Sequence, residues 1–141
     1  MKIFLSWSGI RSHYIALTLN EWFEQVIQAA EPWVSSDISK GKRWDGEIAD
    51  KLEQSKVGII CLTKDNLDSS WIHFEAGAIS KTPDAYVCTF LFDVTPANVK
   101  EPLSLFQATL FTKDDVFKLL RTINSLLEKP LKESGLEGIF N

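Results

Sequence analysis

Val57-Gly58-Ile59-Ile60-Cys61-Leu62 is an unbroken apolar run of strand length. A strand with one wet face would alternate apolar and polar residues; a continuous run marks a central strand covered on both sides. The segments on either side agree with that reading. Upstream, Lys2 to Trp7 (KIFLSW) reads as a first strand, and from Arg11 to Gln28 the residues Ile15, Leu19, Trp22, Phe23 and Val26 recur at spacings of three and four, one stripe of a helix. Pro32 to Ser35 is a short second strand, Asp37 to Arg43 (DISKGKR) a polar loop containing glycine, and Trp44, Ile48 and Leu52 mark a helix at spacing four. Downstream, Ser70 to Lys81 reads as a helix, with Asp68, Ser69 and Ser70 as N-cap candidates and Pro83 helping to stop it. Tyr86 to Phe92 (YVCTFLF) is a fourth strand, Pro96 to Phe106 a loop with one short turn of helix, and Ala108 to Phe111 a brief fifth strand near the edge. Thr112 followed by Asp115 fits a capping box for a last helix carrying Val116, Leu120, Ile123 and Leu127. Short strands alternating with longer amphipathic helices predict an α/β fold: a flavodoxin-like, doubly wound, parallel five-stranded sheet with helices on both faces. The domain is expected over residues 1–129, with 130–141 as a C-terminal tail or linker.

Composition narrows the class. At 141 residues, 45% apolar and 24% charged, the chain is globular and of one-domain size, neither disordered nor fibrous. A net charge of −4 argues against a general binder of phosphate backbones, so no direct nucleic-acid partner is expected. Cys61 and Cys88 lie inside apolar runs with no metal-ligand spacing around them, which reads as core packing in a reducing compartment, without a disulfide or a metal. No apolar stretch approaches the ~18 residues of a membrane span, and no signal-type core opens the chain, so a cytoplasmic protein with no membrane partner is expected.

Glu75 breaks the pattern. At about 100° per residue, His73, Gly77, Ser80 and Lys81 share the polar side of their helix, while Trp71, Ile72, Phe74, Ala76, Ala78 and Ile79 define the core-facing arc. Glu75 falls in the middle of that arc, between Trp71 and Ile79. Desolvating an unpaired carboxylate costs several kcal/mol in order of magnitude, so Glu75 is paired, faces a cleft or has a function. Doubly wound sheets open their ligand crevice at the carboxyl ends of the strands, where strand order reverses. That directs attention to Trp7–Arg11, Asp37–Trp44 and the segment leading to Trp71 and Glu75. Backbone amides around Ser6, Trp7, Ser8 and Gly9 can hold phosphate or ribose, and the same residues are equally ordinary turn formers. Lys40, Lys42 and Arg43 form a charge run of the kind usually found on a solvated loop, and Trp44 reads as the first core position of its helix. His13 and His73 each stand alone, with no partner spaced for metal or triad chemistry.

Four blocks in order, FLSWSG (4–9), SSDISKGKRW (35–44), VGIICLT (57–63) and WIHFEAGA (71–78), resemble a Toll/interleukin-1 receptor (TIR) domain of the bacterial immune type. The resemblance covers nearly the whole chain. Enzymatic members cleave the nicotinamide–ribose bond of NAD+ with a glutamate on the helix after strand three, which implies Glu75 as the catalytic residue and places Trp71 near the pocket. It implies substrate contacts from Ser6, Trp7, Ser8, Lys40, Arg43 and Trp44, and NAD+ as substrate rather than cofactor. The expected function is an NAD+ nucleosidase yielding ADP-ribose or cyclic ADP-ribose, in anti-phage defence signalling, activated by self-assembly with other TIR domains and governed by an appended sensor domain or a separate effector. One carboxylate suffices in such chemistry because the nicotinamide ring is already cationic in NAD+ and leaves as a neutral base without a general acid. Two alternatives stand beside it: a non-catalytic TIR interaction module working through Asp37–Trp44, and an enzyme like the nucleoside deoxyribosyltransferases. A phosphoacceptor receiver needs acidic residues where Ser6-Trp7-Ser8 and Thr63 stand, and that reading fails.

Overall fold

The computed structural model describes residues 1–34, 54–69, 72, 77, 85–101 and 103–140. β1 (Lys2–Ser6), β2 (Glu31–Val34), β3 (Ser55–Leu62), β4 (Tyr86–Leu91) and β5 (Gln107–Leu110) form one sheet in the order β2-β1-β3-β4-β5. Every neighbouring pair is parallel. Every residue of β3 except Lys56 is buried, as the apolar run predicts. From β1 the chain crosses outward to β2 on one side and then to β3 on the other, so strand order reverses between β1 and β3. Their carboxyl ends flank the switch point of a flavodoxin-like sheet.

Period-two alternation sorts the strand residues into two layers. Ile3, Leu5, Val57, Ile59, Cys61, Cys88 and Phe90 join one core with Ala16, Leu19 and Phe23 of α1 (Ile10–Val26) and with Leu119, Leu120 and Ile123 of α2 (Lys113–Ser125). Ile60, Leu62 and Leu91 face the other way, against Ile72, Val94 and Leu103. Ile72 and Gly77 are both helical. The buried line of α1 is Ser12, Ala16, Leu19 and Phe23, rotated slightly from the predicted stripe, with Ile15, Trp22 and Val26 at its margins. A polar residue can sit on that line because the Ser12 hydroxyl donates to Cys61 O at 2.8 Å.

The region after β4 holds two 3-10 turns, Pro96–Asn98 and Leu103–Leu105, where the sequence predicts one turn of helix. Thr112 caps α2 as predicted, accepting from Asp115 N at 3.2 Å. The reciprocal half of the box goes elsewhere: the Asp115 carboxylate accepts from Leu110 N at 2.9 Å and ties the helix to β5. Within the stretch 130–141 the chain forms a further helix, α3 (Glu133–Phe140), whose Leu136 is fully buried in the first core. It is anchored by Asn124, which donates to Leu131 O and accepts from Leu131 N, each at 2.9 Å, and by an Arg121–Glu133 ion pair at 2.8 Å. The loop Asp37–Arg43, the helix beginning at Trp44 and the end of the predicted second strand at Ser35 lie outside the described residues. No helix among the described residues is long and apolar enough to cross a membrane.

Candidate functional site

Two turns meet at the switch point, where sheets of this kind open their ligand crevice. In the first, β1 ends at Ser6, which is buried, and passes through the partly exposed Trp7 and Ser8 to Gly9. Gly9 holds φ 90° and ψ 162°, a region essentially reserved for glycine, and this lets the chain reverse directly into α1. Ser8 N donates to the Ser12 hydroxyl at 3.2 Å, and that hydroxyl in turn bonds Cys61 O on β3. The Trp7 ring stacks on His13 one turn into the helix, centroids 4.0 Å apart and planes 19° from parallel. With Ser6 buried, the surface this turn offers a ligand belongs to Trp7, Ser8 and Gly9.

The second turn leaves β3. Asn66, 2% exposed, accepts from Thr63 N at 2.8 Å and donates from its amide nitrogen to Cys61 O and to Ser8 O, each at 3.0 Å. The amide orientation follows from its partners: turned over, it would set an amine against an N–H and a carbonyl against two carbonyls. Ser69 N donates to Asn66 O at 3.0 Å, and the Ser69 hydroxyl donates to the Ser8 hydroxyl at 3.0 Å while accepting from Ile72 N at 3.4 Å. Of the three N-cap candidates, Ser69 is therefore seen in the capping contact, three residues ahead of the amide it receives.

Arg11, in the first turn of α1, forms the charged edge. Its guanidinium pairs with Asp65 at 3.4 Å and with Asp93, and lies 5.9 Å from the Phe92 ring centre. Asp93 also accepts from Lys64 N at 2.8 Å, so the exits of β3 and β4 are held to α1. Beneath the crevice, burial and then the neighbouring Cys88 push the Cys61 thiol well above its ordinary range. Burial likewise pushes Cys88 up to about 12, against a smaller opposing hydrogen bond with Thr109. Both thiols are neutral packing groups and free of disulfides.

Of the residues that sequence reasoning assigns to substrate, Ser6, Trp7 and Ser8 fall at this switch point. Glu75, Trp71, Lys40, Arg43 and Trp44 lie outside the described residues; Ile72 and Gly77, which bracket Glu75 in sequence, are helical. Sequence reasoning missed Asn66, Ser12, Asp65 and Asp93. An Asn three residues after Thr63 has the spacing at which a side chain reaches back to an N–H, as in a capping box, and this foretells the local bond but not the bond to Ser8, which is 58 positions away. A polar cleft bordered by Tyr86, Gln107, Asp115 and Lys118 opens where β4 and β5 begin, at the end of these strands opposite the crevice.

No curated protein matches the chain. Among solved structures, it resembles the TIR domains of the activated Roq1 resistosome directly recognizing the pathogen effector XopQ, with a TM-score of 0.53 and 16% identity over 99% of this chain and 83% of that one. At that identity the likeness speaks to the fold. A family model for the TIR domain matches residues 3–123, nearly all of the sheet and its helices, and the chain therefore belongs to the TIR domain family.

Proposed function

We propose that this TIR domain is an NAD+ nucleosidase that breaks the nicotinamide–ribose bond through Glu75. The observation carrying this reading is the position of Glu75 in the sequence: an acid among apolar residues, in the segment that follows the β3 exit at a switch-point crevice. Nicotinamide departs as a neutral base from a cationic ring, so the charge needing stabilisation is the developing oxocarbenium ion. A carboxylate beside the ribose supplies it, the more strongly where water is excluded. In this reading Trp71 stacks on a ring of the substrate and steers the ribosyl carbon toward cyclisation rather than hydrolysis. Trp7, Ser8 and the buried Ser6 shape the turn beside the ribose, Lys40 and Arg43 face the pyrophosphate, and Trp44 lines the pocket. NAD+ is the substrate and no cofactor is required.

Assembly is part of the proposal. Ile10, Tyr14 and Leu17 recur along one side of α1 and are 81%, 71% and 41% exposed, an apolar stripe suited to a second TIR domain. The reading includes a cytoplasmic role in anti-phage defence signalling, under a sensor domain or separate effector. Concentrated protein incubated with NAD+ is expected to release nicotinamide, and Glu75→Gln to lower the rate by about a hundredfold to a thousandfold. Equal release from both proteins would remove Glu75 from the mechanism. The exposed stripe also favours the second reading, a TIR interaction module; absence of release under every assembly condition would select it.

A further inference from the structure

The exits of β1 and β3 face each other across the switch point, and one buried side chain joins them. Asn66 uses its acceptor on Thr63 N and its two donor hydrogens on Cys61 O and Ser8 O, at 2.8, 3.0 and 3.0 Å. Its backbone carbonyl holds Ser69 N, and Ser69 carries the connection onward, its hydroxyl meeting Ser8 at 3.0 Å and receiving Ile72 N at 3.4 Å. Two turns thus meet at one amide, the turn into α1 and the turn out of β3, and Ser69 extends the connection to the helical Ile72, three residues before Glu75 in sequence. A buried amide with its acceptor and both donor hydrogens engaged gives rigidity and a single geometry, where an apolar filler would give only cohesion. Ser8 is meanwhile partly exposed at the rim, so the clasp ends on a residue that borders the crevice.

We infer that Asn66 is a positioning residue for the proposed NAD+ cleavage, fixing the β1 turn against Ser69 and Ile72, which precede Glu75 in sequence, so that substrate and carboxylate meet in one register. This rests on the nucleosidase reading. The amide acts through Ser8 and Ser69 and has no need to touch the substrate: it is 2% exposed.

The test measures nicotinamide release by wild type, Asn66→Asp, Ser69→Ala, Ser69→Thr and Glu75→Gln across a range of NAD+ concentrations, well below each protein's thermal midpoint. Asn66→Asp keeps the shape and the acceptor but turns a carboxylate oxygen toward two carbonyls. Ser69→Ala cuts the onward link while leaving Asn66 in place, and covers the case in which Asn66→Asp does not fold. Both are expected to lower kcat by on the order of tenfold to a hundredfold with a smaller change in KM, since misplacement by about an ångström has effects of that size. Ser69→Thr, which keeps the hydroxyl, is expected to restore kcat. Amide exchange at residues 8–12 is expected to speed up in Asn66→Asp. Folded variants with wild-type kcat, beside an inactive Glu75→Gln, would overturn the positioning role alone. Wild type and Glu75→Gln releasing equal nicotinamide would overturn the nucleosidase reading and this inference with it.

Discussion

Gly9 occupies a backbone conformation closed to other residues, yet a Cβ built on it would meet nothing within 4 Å. The restriction is therefore one of backbone strain and not of space, and Gly9→Ala is expected to lose about 1–3 kcal/mol in urea unfolding. Cys61 and Cys88 present the complementary case, side chains enclosed completely. The Cys88 thiol ionises at 9.0 in an ordinary setting and at about 12 when folded. Between those values the unfolded chain has given up a proton that the folded chain retains, so stability is full below pH 9 and declines as pH rises. The decline is about 1.4 kcal/mol per pH unit for one thiol, and Cys88→Ala should flatten it by that amount in unfolding curves taken from pH 9 upward. That both cysteines pack as core was legible from their apolar neighbours. The reach of Asn66 was not, because a polar residue in a short turn has many local partners available and the distant one, Ser8, comes from the turn after β1.

Helix ends divide in the same way. Thr112 as the cap of α2 could be read from spacing, because capping links residues three apart; Thr112→Ala is expected to cost about 1 kcal/mol, read from the urea midpoint. Asp115 could not be placed, since its choice of Leu110 N over the cap depends on where β5 ends. α3 went unread as a packed helix because its apolar residues Leu136, Ile139 and Phe140 keep helical spacing over barely one turn, and Gly135 and Gly138 weigh against a helix there. Among the described side chains its packing rests on Leu136 and on the Asn124 clasp, so Leu136→Ala is expected to destabilise the whole domain by about 2–5 kcal/mol in a single cooperative transition. A change confined to local fraying of residues 133–140, seen by amide exchange, would show that α3 adds nothing to global stability.

At the scale of the molecule, the surface and the sheet lead to different questions. The stripe Ile10, Tyr14 and Leu17 makes no contribution to the core, so Tyr14→Glu is expected to leave thermal stability within about 0.5 kcal/mol of wild type. If the stripe is the assembly surface, the same change should reduce the sedimenting oligomer and the specific activity of concentrated protein together; loss of neither would assign assembly elsewhere. The sequence by itself determined the strands, their parallel arrangement, the helix that joins β1 to β2 and the break in the apolar pattern at Glu75. These are local properties: burial on two faces, the period of a helix and the misfit of a charge on an apolar arc are all written in consecutive residues. Only the tertiary structure decided that Asn66 reaches Ser8, that Arg11 gathers Asp65 and Asp93, and that Leu136 completes the core. Each of those contacts joins segments that are distant along the chain and meet only after the parallel crossovers have closed, and spacing along a chain does not specify which polar groups will then stand within 3 Å of one another.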